Sequence, residues 1–368
     1  GPGGEVRAIK MIREEFARNK EFLTMFLDEA RIVSRLRHPN IVRYDELGDE
    51  GGHAFLAMEL LLGQSLWSVW DACRVRGVRL RYDMIAWIGA RVAEGLHYAH
   101  ELTDEQDRPL DIVHRDVNAT NIFVTYDGDI KIIDFGLAKA ANRASKTAAG
   151  IIKGKVAYMS PEQAVGAPVD RRTDIFALGT TLWELACDRR LFRYADDVET
   201  LERVHAAEVP DPTRLVDGFP PQLWNVLRRA LARDRDARYR TAAELQRDLD
   251  AFARAVGTGV DAKVVADAMG QLFAEDRARQ QAWITEASGP GPGRALGPLK
   301  SRSSFWAAAD DVVSVPATAP PLPAPPHVQI PRAPAVAAAA RSRALPVAAA
   351  IAIVVVLAAV VIAALALR

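Results

Sequence analysis

The chain has 368 residues, and its 47 basic and 47 acidic side chains give a formal net charge of zero. This balance gives no indication of a nucleic-acid-binding groove or of an acidic substrate, so we expect no nucleic-acid partner. The two cysteines, Cys73 and Cys187, lie far apart in the sequence and predict free thiols in a reducing compartment rather than a disulfide framework.

The first part of the chain predicts strands and one helix. Residues 13–37 carry apolar side chains at helical spacing, with Ile32 and Val33 predicted to face inward. Two extended stretches, which begin at Ile41 and His53, flank a Gly-Gly pair and predict antiparallel strands. This part of the chain therefore predicts a small β-rich unit.

Helical patterns dominate after Gly63, as in the long stretches that begin at Asp83 and Asp174. Strands with one helix come first, and a mass of helices follows. We therefore predict an α+β fold with two lobes and a cleft between them. The β-rich small lobe would cover residues 1–62 and the mainly helical large lobe residues 63–254.

Two segments of different character follow the predicted lobes. Residues 255–287 predict an accessory helical segment that packs on the main body, because Val265, Met269 and Phe273 recur at helical spacing. Residues 288–343 are rich in proline and alanine and predict a disordered linker, since they offer too little apolar surface to form a core.

An unbroken apolar run of 23 residues, from 345 to 367, lies near the C-terminus. A helix rises about 1.5 Å per residue, so this run is long enough to cross a hydrocarbon core of roughly 30 Å. A buried core helix is the alternative, but such helices are shorter and carry a polar edge. We predict a transmembrane helix over residues 344–367. Arg341 and Arg343 before it, with only Arg368 after it, favour a single-pass protein of the cell membrane with its main body on the cytoplasmic side.

Two short motifs stand in the middle of the chain. They are HRDVNATN at residues 114–121 and DFG at residues 134–136. The apolar residues 122–124 and the stretch IKII at 130–133 flank an Asp-Gly dipeptide between the two motifs and predict a β-hairpin. Because a hairpin brings its ends together, the two motifs should meet in space.

Asp116, Asn121 and Asp134 should then present three oxygen-bearing side chains around one point. Hard oxygen ligands of this kind suit Mg²⁺, which binds few protein ligands together with substrate phosphates. With this arrangement the chain resembles the protein kinase family over roughly residues 5–254. It resembles in particular the bacterial serine/threonine kinases that carry a membrane span after the catalytic domain.

The resemblance implies transfer of the γ-phosphoryl group of ATP to Ser or Thr of protein substrates, with Mg²⁺ as the metal. Asp116 would be the catalytic aspartate, which orients and can deprotonate the substrate hydroxyl. Asn121 and Asp134 would hold Mg²⁺. Arg115 would be the basic residue that engages a phosphorylated activation segment.

The resemblance also implies a nucleotide site. Lys10, at the end of the sequence AIK, would bind the α- and β-phosphates of ATP, and Glu29 would pair with this lysine. Met58 would stand at the back of the adenine pocket. The backbone of Glu59 and Leu61 would read the adenine edge.

Three further residues take structural roles on the same resemblance. Glu162, in the sequence SPE, would pair with Arg238 in a buried ion pair, which is destabilising to break from one side. Asp174 would cap the backbone of the HRD loop from the start of the central large-lobe helix.

The opening letters GPGG are not expected to form the phosphate loop of the family, since only five residues separate Gly4 from Lys10. In the family the glycine-rich loop lies about fifteen residues before that lysine. We expect GPGG to be the turn between the second and third strands of the small lobe. We also expect the 368-residue chain to bind ATP poorly, and a protein with the loop restored ahead of it to be active.

The chain departs from the family pattern in two places. Asn118 stands where serine/threonine kinases usually have a lysine two residues after Asp116, and Lys155 stands where threonine is common. We hypothesise that Lys155 supplies to the γ-phosphate the charge that Asn118 lacks, although a plain surface lysine is an equal alternative. Ser145 and Thr147 are candidate phosphorylation sites in a flexible basic stretch.

The sequence leaves one principal alternative open. The chain could be a catalytically weak or inactive pseudokinase scaffold that binds protein partners, as Asn118 and the missing glycine loop suggest. A small-molecule phosphotransferase is a third reading, which the SPE segment and Arg238 make less favourable. The sequence indicates neither the protein substrate, nor the activating signal, nor the oligomeric state.

Overall fold

The computed structural model describes residues 6–11, 24, 27, 30–50, 53–135, 156–192, 196–257 and 259–287. The predicted linker and the predicted transmembrane helix lie outside these residues. Within the described ranges, no helix combines the length and the apolar character needed to cross a bilayer.

Three antiparallel strands form the first sheet, in the order β1-β3-β2: β1 (Arg7–Met11), β2 (Tyr44–Glu50) and β3 (His53–Glu59). The register sets Lys10 opposite Leu56. Tyr44 and Leu56 are fully buried, so the sheet presents a covered apolar face. The two strands predicted around the Gly-Gly pair are confirmed.

The predicted first helix differs from the structure at its end. Residues 30–33 are helical and residues 34–35 form a turn, so the helix ends before the predicted residue 37. Val33 is buried, but Ile32 is exposed, so the prediction that Ile32 faces inward is wrong. Successive helical residues point about 100° apart, so adjacent side chains on a helix cannot share one narrow buried stripe.

A second sheet has the order β4-β5-β6, with β4 (Gly63–Ser65), β5 (Ile122–Thr125) and β6 (Ile130–Ile132) all antiparallel. Strands β5 and β6 are the predicted hairpin. Gly128 in its turn has a positive φ of 91°, which glycine adopts without strain. Ile41 forms a parallel bridge with Ile132, which ties the chain before β2 to the hairpin.

The remaining described chain is mainly helical. The helices are α1 (Leu66–Val75), α2 (Tyr82–His100), α3 (Pro161–Ala164), α4 (Arg172–Cys187), α5 (Asp197–Ala206), α6 (Pro221–Ala230), α7 (Ala242–Val256) and α8 (Ala262–Ala287). Helix α4 is buried around its whole circumference from Thr173 onward. A helix that is covered on every side forms the centre of a domain, and α2 and α7 pack beside it.

Helix α8 is the predicted accessory helix, and its apolar side chains Val265, Met269 and Phe273 are buried against the main body. The helix is kinked at Phe273, where φ is −136° and ψ is 33°. At this kink the guanidinium group of Arg76 donates to the carbonyls of Gln271 (3.1 Å) and Leu272 (2.7 Å). Arg76 thereby satisfies backbone acceptors at the point where the helix is interrupted.

Both cysteines are buried and free, as the sequence predicted. Cys73 lies in α1 and Cys187 is the last residue of α4. Burial raises the pKa of the Cys73 thiol and raises that of Cys187 to about 12. Neither thiol is therefore ionised at neutral pH.

Candidate active site

His114 fixes the beginning of the HRD motif inside the core. Its side chain is fully buried, and its ring packs edge-on against Phe135 with 4.6 Å between the ring centroids. The ring atom Nε2 lies 3.0 Å from the carbonyl oxygen of Ile133. The HRD and DFG motifs are thus held together by a ring contact and a hydrogen bond.

Helix α4 positions the backbone of the HRD motif through Asp174. The carboxylate of Asp174 accepts the backbone N–H groups of His114 (2.8 Å) and Arg115 (2.7 Å). It also lies 2.8 Å from Nε2 of His100. Burial opposes ionisation of Asp174, but the hydrogen bond and charge of His100, with further help from His114 and Arg115, hold its pKa below the ordinary value.

Arg115 occupies a strained position in this loop. Its φ of 67° lies in the left-handed region, and its carbonyl oxygen accepts a hydrogen bond of 3.3 Å from Gln163 Nε2. Gln163 belongs to α3, where it completes a capping box with Ser160. The HRD loop is therefore joined to the segment that carries the SPE motif.

Asp116, Asn118 and Asn121 form one hydrogen-bonded group. Asn121 Nδ2 donates to the backbone oxygen (2.8 Å) and to Oδ2 (3.1 Å) of Asp116. Asn118 Nδ2 donates to the same backbone oxygen (3.0 Å) and to Oδ1 (3.3 Å). Asn118 Oδ1 in turn accepts the backbone N–H of Thr120 (2.8 Å). Two amides thus orient the carboxylate of Asp116, and the Asn118 side chain folds back on the loop.

Lys10 reaches the DFG motif from the first sheet. Its Nζ lies 2.5 Å from Oδ1 of Asp134, and both side chains keep more than a third of their surface exposed. Asp134 has a φ of 61°, a left-handed conformation that aspartate tolerates better than most residues. Glu29, the predicted partner of Lys10, lies outside the described residues.

Tyr44 is a buried neighbour of the DFG motif, and this role was not predicted from the sequence. Its hydroxyl lies beside the backbone of Asp134 and Phe135, and burial, reinforced by the charge of Asp134, raises its pKa above the ordinary value. The phenol therefore stays neutral under the DFG motif.

The predicted adenine-reading segment follows β3 directly. Met58 and Leu61 are half-buried against the core. Glu59 donates its backbone N–H to Arg43 O (2.9 Å), and its side chain forms an ion pair of 2.8 Å with Lys131 of the hairpin. The first sheet and the β5–β6 hairpin are thus joined next to this segment.

The ion pair expected between Glu162 and Arg238 is present, with two parallel contacts of 2.8 Å. The buried guanidinium of Arg238 also donates to the carbonyls of Ala232 (2.7 Å), Arg172 (3.2 Å) and Arg233 (3.1 Å). All five of its N–H groups therefore have acceptors. This anchors the segment after residue 155 to the helical core.

A second anchor of this segment was not predicted. The hydroxyl of Tyr158 donates to Glu184 Oε2 (2.7 Å), and Arg190 contacts both groups. Arg190 also lies over the Trp67 ring, 4.3 Å from its centroid. Burial and the charge of Glu184 raise the pKa of Tyr158. No local pattern marks such a cluster, because Trp67, Tyr158 and the Glu184–Arg190 stretch lie in three separate parts of the chain.

Asn121 and Asp134 are the side chains that fit a divalent cation. The Asn121 amide nitrogen is committed to Asp116, which leaves the amide oxygen as a potential ligand. The backbone of Asn121 is bonded to Ile133, the residue before Asp134. Among the described residues, no group of three or more His, Cys, Asp or Glu could hold a metal ion alone. The donor set therefore suits Mg²⁺ that takes its other ligands from substrate phosphates and water.

A two-lobed fold in which HRD and DFG motifs face a lysine from the small lobe defines a phosphotransferase class of protein. The family model described as protein kinase domain matches residues 2–249. The chain belongs to the protein kinase family, as the sequence motifs indicated.

Individual relatives agree with this assignment. The chain is 37% identical over 279 residues to tyrosine-protein kinase MasK of Myxococcus xanthus. The aligned region covers 75% of this chain and 43% of MasK. It is 35% identical over 246 residues to serine/threonine-protein kinase PknL of Mycobacterium tuberculosis, covering 67% of this chain and 59% of PknL. The chain thus spans about half the length of these two relatives.

A solved structure supports the fold alone. The PknI kinase domain of Mycobacterium tuberculosis is 24% identical, covers 67% of this chain with 85% of its own length, and superposes with a TM-score of 0.51. The two-lobed kinase fold predicted from the sequence is confirmed.

Proposed function

We propose that the chain is the catalytic part of an ATP-dependent protein kinase that phosphorylates Ser or Thr of protein substrates. The observation that carries this proposal is a pair of contacts, Lys10 with Asp134 and Asn121 with Asp116, at the two ends of the β5–β6 hairpin. The N–H of Ile133, next to Asp134, donates to the Asn121 carbonyl at 2.9 Å and joins the two ends. Serine/threonine kinases among its relatives support the choice of acceptor.

The residues divide the chemistry between them. The substrate hydroxyl approaches Asp116, whose carboxylate is held by Asn118 and Asn121 and accepts the proton. The hydroxyl oxygen forms a bond to the γ-phosphorus, the bond to the bridging oxygen breaks, and ADP leaves. Lys10 offsets charge on the α- and β-phosphates. Mg²⁺, when bound, would be held by Asn121 and Asp134 and would neutralise phosphate charge.

ATP binding must compete with the contact that Lys10 makes in this structure. Its ammonium group is paired with Asp134, and the same group is needed by the phosphates. Because both side chains are partly exposed, this pair is weakly held and can be exchanged. Glu29 remains the proposed partner of Lys10 in the nucleotide-bound protein.

The decisive experiment is phosphate transfer from labelled ATP with Mg²⁺ to a mixture of protein acceptors. Asp116→Asn should reduce turnover by about 10²- to 10⁴-fold while ATP binding changes little. Asp111→Asn, at an exposed position of the same loop and away from the hydrogen-bonded group, is the matched control. The parent in this comparison is the protein with the glycine-rich loop restored ahead of residue 1, because the 368-residue chain is expected to bind ATP poorly. Equal turnover in this parent and its Asp116→Asn variant would overturn the proposal.

The identity of the phosphorylated amino acid needs its own measurement. The relative MasK is named a tyrosine-protein kinase, so phosphotyrosine is a second candidate product. Acid hydrolysis and separation of the labelled phosphoamino acids distinguishes the two. We expect phosphoserine and phosphothreonine, and phosphotyrosine alone would change the acceptor class without affecting the kinase assignment.

We further propose that the active protein is tethered to the cell membrane through residues 344–367, with the kinase part in the cytoplasm. The 23-residue apolar run and the arginines before it support this proposal. The whole chain should float with lipid vesicles, and a chain ending at residue 287 should not. Equal flotation of the two chains would show that residues 344–367 are not the membrane anchor.

Three proposed features lie outside the described residues: the charge supplied by Lys155 and phosphorylation at Ser145 and Thr147. Lys155→Ala should lower turnover by orders of magnitude with ATP affinity unchanged if the lysine replaces the missing cation. Phosphopeptide mapping after incubation with ATP tests the two hydroxyl residues. The pseudokinase alternative gains no support, because each expected catalytic side chain in the described part of the site is retained.

A further inference from the structure

The second half of helix α8 contacts the strand that leaves the predicted adenine-reading segment. The Gly63 N–H donates to Oε1 of Gln280, and Nε2 of Gln280 donates to the Gly63 carbonyl, each at 3.2 Å. Gly63 begins β4, an edge strand of its sheet. A side-chain amide that pairs with both backbone groups of one residue takes the place of a neighbouring strand.

The backbone at Gly63 is also fixed from its other side. The N–H of Tyr126 donates to the Leu62 carbonyl at 2.9 Å, and Gly63 pairs with Thr125 of β5. A Cβ atom at Gly63 would lie 2.1 Å from the carbonyl oxygen of Val124, so the strands approach closely here. Gln280 and β5 therefore hold this residue between them, two positions after Leu61.

The kinked path of α8 explains how Gln280 reaches Gly63. The buried side chains Val265 and Met269 fix the first half of the helix, and Arg76 caps the interruption at Phe273. Beyond the kink, Arg277 lies 3.4 Å from Asp127 of the hairpin turn. The second half thus crosses the hairpin before Gln280 meets β4.

We propose that Gln280 is a positioning residue for nucleotide binding, which fixes the adenine-reading backbone of residues 59–61 by holding Gly63. This inference rests on the proposed kinase function. The adenine edge would be read by backbone groups whose directions depend on where the chain enters β4. Loss of the two hydrogen bonds to Gly63 should make the backbone of residues 59–61 more mobile and so lower ATP affinity. The phosphoryl-transfer step at Asp116 should not change.

The test compares three variants of the protein with the glycine-rich loop restored ahead of residue 1: Gln280→Ala, Gln280→Glu and Gln281→Ala. Gln281 is the adjacent glutamine and is exposed, so its variant is the matched control. Glutamate keeps the size of Gln280 and the acceptor for Gly63 N–H but cannot donate to the carbonyl. The readouts are hydrogen exchange at the Gly63 amide, the Kd of Mg·ATP by calorimetry, and kcat and KM for ATP.

Gln280→Ala should speed exchange at Gly63 by about 3- to 10-fold and raise the Kd and KM of ATP by a similar factor. We expect kcat to stay within about twofold, Gln280→Glu to lie between the parent and Gln280→Ala, and Gln281→Ala to match the parent. Faster exchange with an unchanged Kd would overturn the positioning role, as would unchanged exchange. If the parent transferred no phosphate but bound ATP with the expected Gln280 dependence, the proposed function alone would fail. If the protein with the restored loop bound no ATP, both would fail.

Discussion

His100 and Asp174 form a fully buried pair in which Nε2 of the imidazole lies 2.8 Å from Oδ2 of the carboxylate. The pair joins the end of α2 to the start of α4. The same carboxylate accepts two backbone N–H groups of the HRD motif. The position of Asp116 therefore depends on a charge that lies beneath the loop.

Asp174→Asn is expected to lower the free energy of unfolding by about 2–4 kcal/mol, because an amide cannot accept all three donors and leaves buried groups unpaired. Turnover should fall at least about tenfold, since the HRD loop loses its anchor. Urea unfolding and steady-state kinetics measure the two effects. Asp217→Asn, at an exposed position, should change stability by less than about 0.5 kcal/mol. A variant as stable and active as the parent would show that the loop needs no such anchor.

Glu162→Gln should change both the stability and its pH dependence. Burial opposes ionisation of Glu162, but the hydrogen bond and charge of Arg238 outweigh it and hold its pKa below the ordinary 4.5. A carboxyl with a lowered pKa stabilises the folded chain above about pH 4.5, and this contribution is lost as the pH falls through the folded-state pKa. The variant leaves Arg238 without a counter-charge, so we expect a loss of about 3–5 kcal/mol at pH 7.

Between about pH 5 and pH 3, the Glu162→Gln variant should lose stability less steeply than the parent, because it lacks one carboxyl that must be protonated. Urea unfolding at several pH values measures the slopes. Glu199→Gln, which removes a half-exposed carboxyl on α5, should keep the parent's slope. Identical slopes for Glu162→Gln and the parent would show that the ion pair does not set this dependence.

Asn118→Ala should lower kcat by about 10- to 100-fold while KM for ATP stays close to that of the parent. The reason is that Asn118 orients Asp116 and also accepts the backbone N–H of Thr120. Asn225→Ala, at an exposed position of α6, serves as the control. Asn118→Lys restores the usual family cation but loses these bonds, so it should not exceed the parent. A faster Asn118→Lys enzyme would mean that the missing cation matters more than the loop.

Gly128→Ala should destabilise the chain strongly, because an added Cβ would lie 1.8 Å from the carbonyl oxygen of Ala262 and φ is 91°. The substitution would push the hairpin turn away from the start of α8. Gly270→Ala is the opposite case, since its Cβ meets nothing within 4 Å and the site lies inside a helix. That variant should gain about 0.5–1 kcal/mol. Thermal or urea unfolding of the two variants measures the free energy of unfolding of each. Equal changes in the two would contradict the close contact at residue 128.

Strongly periodic or turn-bounded segments were predictable from the sequence. The β5–β6 hairpin has an Asp-Gly turn between apolar runs, and α8 has a regular buried stripe. The meeting of Asp116, Asn121 and Asp134 follows because the hairpin places its two ends side by side. The error at Ile32 arose because an apolar run in sequence does not say which of its members faces the core.

Residues that act across long separations were not predictable. Gln280 and Gly63 are 217 positions apart, and a glutamine on a polar helix face looks like any solvated residue. His100 likewise carries no local signal for its contact with Asp174. Tyr44 reads as an ordinary strand residue until the DFG motif is placed beside it. Such contacts depend on how elements pack, which periodicity does not encode.

The buried thiols of Cys73 and Cys187 can report local opening of the folded chain. Because both cysteines are buried and burial raises the pKa of both thiols, a thiol-specific reagent should react mainly when one of these helices opens. Labelling rates followed by mass spectrometry would therefore rank the opening frequency of two neighbourhoods in one sample, without any engineered probe.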